Sequence, residues 1–163
     1  MNLGCERMND YMKTAKALAD DNLKTNAGGP FGACIVKDGK IIGKGSNNVL
    51  LNNDPTAHAE IMAIRDACKN INSFDLTGCV IYTTCYPCPM CLSAIMWSNI
   101  TKISYGNTKE DAESIGFRDK FIYETISKLN NNEECSLELK CIDREETIKT
   151  FNEYVAKEDK TIY

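Results

Sequence analysis

The sequence predicts an α/β fold: a three-layer α/β/α sandwich around a five-stranded mixed sheet that starts with an N-terminal antiparallel hairpin. Three observations predict it. Stretches of helical period alternate with short β-rich runs along most of the chain. Asp38-Gly39 lies between two such runs, and an Asp-Gly pair accepts the positive φ of a tight hairpin turn. The later strands are separated from one another by helical stretches, which requires crossovers and therefore some parallel pairing.

The elements follow in order. Residues 8–24 place Met8, Met12, Ala15, Leu18, Ala19 and Leu23 on one helical face. NAGGPFG (26–32) breaks that helix, and residues 31–51 carry the hairpin around KDGK. NNDPT (52–56) offers caps for a helix over 57–70, where Ile61, Ile64, Ala67 and Cys68 recur at helical spacing. GCVIYTTC (78–85) reads as a short buried strand, 89–99 as a helix and 100–106 as another strand. TKEDAESIG (108–116) is a short helix stopped at Gly116, and 117–129 turns helical after Asp119. After the polar loop NNNEE, the alternation in CSLELKCI (135–142) predicts the fifth strand. Residues 143–160 form an amphipathic helix carrying Ile148, Phe151, Tyr154 and Val155. No repeat or long linker divides the chain, so 1–163 reads as one domain.

Composition narrows the class. With 43% apolar and 26% charged residues, the chain is an ordinary globular one. No apolar run reaches about 18 residues, so no membrane span is expected. The N-terminus lacks the apolar stretch of a secretory signal, so the cytoplasm is the expected compartment. A net charge of −4 argues against a nucleic-acid partner. Nine cysteines in a reducing compartment point to metal binding or chemistry rather than disulfides.

All four prolines fall in GGPFG, NDPTAHAE and CYPCPMC, three stiffened loops that suggest one preorganised site. Cys88 and Cys91 are spaced C-x-x-C, with Pro89 suited to a first helical turn that puts both thiols on one side. A helix N-terminus favours thiolate, the form that binds zinc. His58, the sole histidine, is expected in the first turn of its own helix. If the strand at 78–85 lies parallel beside the hairpin, the two helix N-termini converge. One imidazole and two thiolates then hold Zn2+ with a fourth position left for water, the pattern of a catalytic site. Glu60, two residues after His58, would stand beside the metal as a proton shuttle.

Other readings compete. C-x-x-C alone also describes a redox pair. Cys85 could close the zinc site as a fourth ligand, giving a non-catalytic binding module, although a strand position should point its sulfur elsewhere. Cys5, Cys34, Cys68, Cys79, Cys135 and Cys141 read as small buried apolar residues.

HAE followed by PCPMC is the signature of zinc-dependent nucleobase deaminases. GGPFGACIVKDGKII, SNNV, NDPTAHAEIMAIRDAC, CPMCLSAIMW and GFRDKFIY together resemble, in order, the small bacterial guanine deaminases. That resemblance implies hydrolytic deamination of a small purine, with zinc on His58, Cys88 and Cys91 and with Glu60 as general acid/base. It implies that Asn47 hydrogen-bonds the purine, that Phe31 and Trp97 pack against the ring, and that Ala59 lines the substrate. Asp119 would recognise the guanine edge near the reacting amino group and, as a second catalytic residue, assist proton transfer. It further implies a homodimer in which the segment of about 143–163 is exchanged and Tyr163 closes over a site. Two positions depart from the resemblance. Tyr86 stands where glutamate is usual, and Arg118 where an acidic residue is common. A tRNA adenosine deaminase shares the same signature and is the nearest rival.

Overall fold

The computed structural model describes residues 8–162. These form two compact units divided between Tyr123 and Glu124.

The first unit opens with helix α1 (Asp10–Thr25), started by the Asn9 side chain accepting from the Tyr11 and Met12 amides. Strands β1 (Gly32–Lys37) and β2 (Lys40–Ser46) pair antiparallel across a turn in which Asp38 and Gly39 both have positive φ. A short helix α2 (Val49–Asn52), where the sequence reading had extended the hairpin to residue 51, leads into α3 (Ala59–Ile71). Then come β3 (Val80–Cys85), α4 (Pro89–Trp97), β4 (Lys102–Asn107) and α5 (Lys109–Ser114), the last begun by a capping box between Thr108 and Asp111.

The sheet order is β2-β1-β3-β4. Strand β3 runs antiparallel to its neighbour β1 and parallel to β4. Because β1 opposes both β2 and β3, those two strands run the same way. The chain therefore leaves both at one edge of the sheet, just before α3 and α4.

Alternate residues of β1 face different helices, as the strand period requires. Gly32 abuts the α1 backbone, and the Cys34 thiol donates to the Tyr11 carbonyl. On the other face Ala33 and Ile35 join Ala59, Ala63 and Ala67 of α3, Ile81 of β3 and Ile95 of α4 in the core. The small residues of α3 lie directly against Gly43 and Gly45 of β2. Leu23, expected on the buried face of α1, is 70% exposed, and Asn22 is buried there instead.

Helix α6 (Asp119–Asn130) crosses the division between the units, and α7 (Arg144–Ala156) lies in the second. The sheet has four strands, not five, because 135–142 forms none. Its alternation fits a strand, but no other described strand lies in its unit, and an unpaired strand cannot satisfy its backbone N–H and C=O groups. Of the cysteines read as buried, Cys34 and Cys79 are so. Cys68 and Cys135 are half-buried, Cys141 is exposed, and Cys5 lies outside the described residues.

Candidate active site

Two helix N-termini meet at the sheet edge. His58 is the N-cap residue of α3, which begins two residues later than expected, and makes no capping bond with its ring. Asp54 instead accepts from the Thr56 amide and hydroxyl, bracing the loop before it. Cys88 is the N-cap residue of α4, with Pro89 next. The His58 Nδ1 lies 3.6 Å from the Cys88 Sγ. Ligand atoms of His58, Cys88 and Cys91 all fall within 4.8 Å of one another.

The Cys91 thiol donates to Cys88 and, with His58 helping, holds the Cys88 thiol well below its ordinary range. The same bond, together with burial, pushes Cys91 upward. The Cys88 contact also raises the His58 imidazole. A thiolate, a thiol and an imidazole at two helix N-termini form a donor set that a divalent cation completes by displacing protons. One nitrogen and two sulfurs fit zinc, with a fourth position left open. The Cys85 sulfur is not among these atoms and donates to the Thr108 carbonyl at 3.5 Å, so the closed four-ligand site does not form.

Beside the cluster lies a small cavity. Phe31, Asn47, His58, Glu60, Cys88 and Asp119 are among the residues that line it. Glu60 occupies the first turn of α3 and is 6% exposed. Burial pushes its carboxyl above the usual range, and burial raises Asp119 as well. Asn47 is buried. Its carbonyl accepts from the Asn22 amide at 2.7 Å, and its Oδ1 accepts from the Val49 N–H. Asn22 also holds the Gly29 carbonyl at 2.9 Å, so one side chain fixes both the Asn47 and Phe31 loops.

Among the described residues singled out from the sequence, Ala59, Cys91 and Trp97 are not part of the cavity lining. Ala59 is fully buried at the start of α3, between the two functional residues. Trp97 ends α4 at 67% exposure and lies outside the cavity. It stands six residues beyond Cys91, about 9 Å along a helix axis. Tyr163 lies outside the described residues.

The sequence reading missed others. Phe117 lines the cavity edge-on to Phe31, with ring centroids 4.7 Å apart. Its adjacency to Asp119 within GFRDKFIY was the available signal. Tyr86 also lines the cavity, packs against Tyr105 and Tyr123, and has the Lys109 ammonium 5.0 Å from its ring centroid. The Tyr123 hydroxyl donates to the Pro87 carbonyl at 2.7 Å, tying the first turns of α6 to the Cys88 loop.

An α/β sheet carrying a His-Cys-Cys zinc site with a buried glutamate beside it defines a zinc-dependent deaminase domain. The chain belongs to the family of the cytidine and deoxycytidylate deaminase zinc-binding region, matched over residues 5–107. It is 51% identical over 118 residues to the guanine deaminase of Bacillus subtilis (strain 168), covering 72% of this chain and 76% of that one. The crystal structure of a guanine deaminase from Bacillus subtilis superimposes with a TM-score of 0.85 at 42% identity, over 96% of this chain and 99% of that one. A tRNA-specific adenosine deaminase of Aquifex aeolicus (strain VF5) is 49% identical over 76 residues, covering 47% of this chain and 50% of that one.

Proposed function

We propose that this chain hydrolyses guanine to xanthine and ammonia. The observation that carries this reading is the cavity. It brings the metal ligands His58 and Cys88 together with Glu60, two facing phenylalanines, and the amide and carboxyl groups of Asn47 and Asp119. The similarity to guanine deaminases over most of both chains supports the choice of substrate.

Zinc held by His58, Cys88 and Cys91 would supply Lewis-acid activation of a water. The remaining work belongs to the chain. Phe31 and Phe117 offer apolar faces to a planar base. The Asn47 Oδ1 is occupied by the Val49 N–H, which leaves its amide NH2 to donate to a ring acceptor. Asp119 offers a carboxyl group to the guanine N–H edge. Glu60 takes one proton from the attacking water and passes it to the ring nitrogen beside C2. The water oxygen bonds to C2, the C2–N bond breaks, and ammonia leaves with a second proton relayed by Glu60. Selectivity follows if a wrong base leaves these buried polar groups unpaired.

We assign the protein to the cytoplasm, and we propose a homodimer that exchanges about residues 143–163, with Tyr163 reaching the partner's site. The cysteines among the described residues are all free thiols, which suits a reducing compartment. Leu137, Leu139, Phe151 and Val155 are 57–76% exposed, apolar surface that a second copy would cover. Trp97, which is 67% exposed and outside the cavity lining, would take part in the site through such an assembly.

The test is ammonia release from guanine, adenine, cytosine, their nucleosides and tRNA, with wild type and Glu60→Gln in parallel. Guanine turnover that disappears in Glu60→Gln while zinc is retained is the expected result. Turnover of tRNA instead of guanine would overturn the substrate. Full activity in Glu60→Gln would overturn the shuttle.

A further inference from the structure

We propose that Thr83 is a positioning residue for the deamination, holding the Glu60 carboxylate through its hydroxyl. The inference rests on Glu60 being the proton shuttle.

Thr83 lies in β3, in the same alternating row as Ile81, whose side chain is in the apolar core. That row calls for an apolar side chain, and a β-branched valine would fill the space. Thr83 is 1% exposed, and a hydroxyl buried there costs stability unless it is bonded. Its partner is Glu60: Thr83 Oγ1 donates to Glu60 Oε1 at 3.0 Å, in a fully buried bond between residues 23 positions apart. Glu60 lines the cavity and Thr83 does not, so Thr83 acts on the reaction only through Glu60.

Thr83 Oγ1 makes the side-chain hydrogen bond to the Glu60 carboxyl, and it lies outside the His58, Cys88 and Cys91 cluster. It can therefore fix the carboxylate's rotation without serving as a ligand itself. A carboxylate that must collect and return protons in one turnover needs its orientation fixed within a few tenths of an ångström. A strand in mid-sheet is a stiffer anchor for that purpose than a loop.

The experiment compares wild type, Thr83→Val, Thr83→Ser and Glu60→Gln as purified full-length zinc proteins. It reads guanine kcat and KM, zinc per chain and the thermal midpoint. Thr83→Val keeps the shape and removes the donor, so kcat should fall about 10- to 100-fold, the scale of a lost hydrogen bond to a charged group. KM should stay within about threefold and zinc at the wild-type level. Thr83→Ser restores the donor and should recover most of kcat. Three results would overturn the proposal: kcat in Thr83→Val within twofold of wild type, loss of zinc or fold in that variant, or a Thr83→Ser no better than Thr83→Val. Glu60→Gln separates the two readings. If it is inactive while Thr83→Val is fully active, the shuttle stands and the positioning role fails. If Glu60→Gln is itself active, the shuttle reading fails first.

Discussion

Gly45→Ala should damage the active site from the far side of α3. A Cβ at Gly45 would meet the Ala59 carbonyl oxygen at 2.2 Å, the Ala63 nitrogen at 2.4 Å and the Met62 Cβ at 2.8 Å. Two of these are backbone atoms, which cannot rotate away. The closest approach is about 1 Å short of ordinary contact, so α3 must shift outward by about that much or the sheet must distort. Overpacking of this kind costs about 1–3 kcal/mol. The functional consequence follows from which residue is struck: Ala59 sits between His58 and Glu60. A displacement of about 1 Å there moves His58 and Glu60 together, and misplacement of reacting groups on that scale costs about 100-fold in rate. The assay measures zinc retained after dialysis against a weak chelator, guanine kcat/KM and the thermal midpoint. Gly78→Ala is the control. Its Cβ meets nothing within 4 Å, but its φ of +83° strains an alanine, so stability should fall by about 1 kcal/mol while the catalysis of folded protein is unchanged. If Gly45→Ala retains wild-type zinc and kcat/KM, the close packing of α3 on β2 does not position the site.

Other perturbations test separate parts of the structure. Cys85→Ser should keep one zinc per chain, whereas Cys88→Ser should lose it, because the Cys85 sulfur points to Thr108 and not to the cluster; metal analysis of both variants decides. Tyr123→Phe removes the bond to the Pro87 carbonyl and should cost about 0.5–1.5 kcal/mol in urea unfolding, with zinc content unchanged. Asp75 is held below the usual carboxylate range first by the Thr77 hydroxyl and amide, then by Asn99. A carboxyl depressed in the folded state stabilises above its unfolded value and loses that contribution as pH falls through the folded one. Asp75→Asn should therefore lower the urea midpoint at neutral pH, and its difference from wild type should shrink in acid. A difference independent of pH would remove Asp75 from the acid response.

Much of the site was legible because its signals are local. A lone histidine, H-x-E, C-x-x-C with an interposed proline and an Asp-Gly turn each report short-range geometry, and the structure places His58, Glu60, Cys88 and Cys91 together. The failures share the opposite cause. The stretch 135–142 has strand alternation, but a strand depends on a partner elsewhere in the chain. Leu23 satisfied the helical period, yet Asn22 is the buried residue, because its amide serves two carbonyls on loops distant in sequence. Trp97 shares a helix with Cys91, but the length of that helix carries it away from the cavity.

The sequence by itself determined the His-Cys-Cys donor types, the glutamate two residues after the histidine, the stiff loops and nearly every helix, since capping, periodicity and turn chemistry act within a few residues. Only the tertiary structure decided that β3 runs against β1 and along β2. That direction brings the two helix N-termini to one sheet edge. Only the tertiary structure set Phe117 against Phe31, Asn22 beneath Asn47 and Thr83 behind Glu60. These pairs lie 23 to 86 residues apart in the chain. No local pattern encodes such a meeting, because it depends on how the whole sheet stacks its helices.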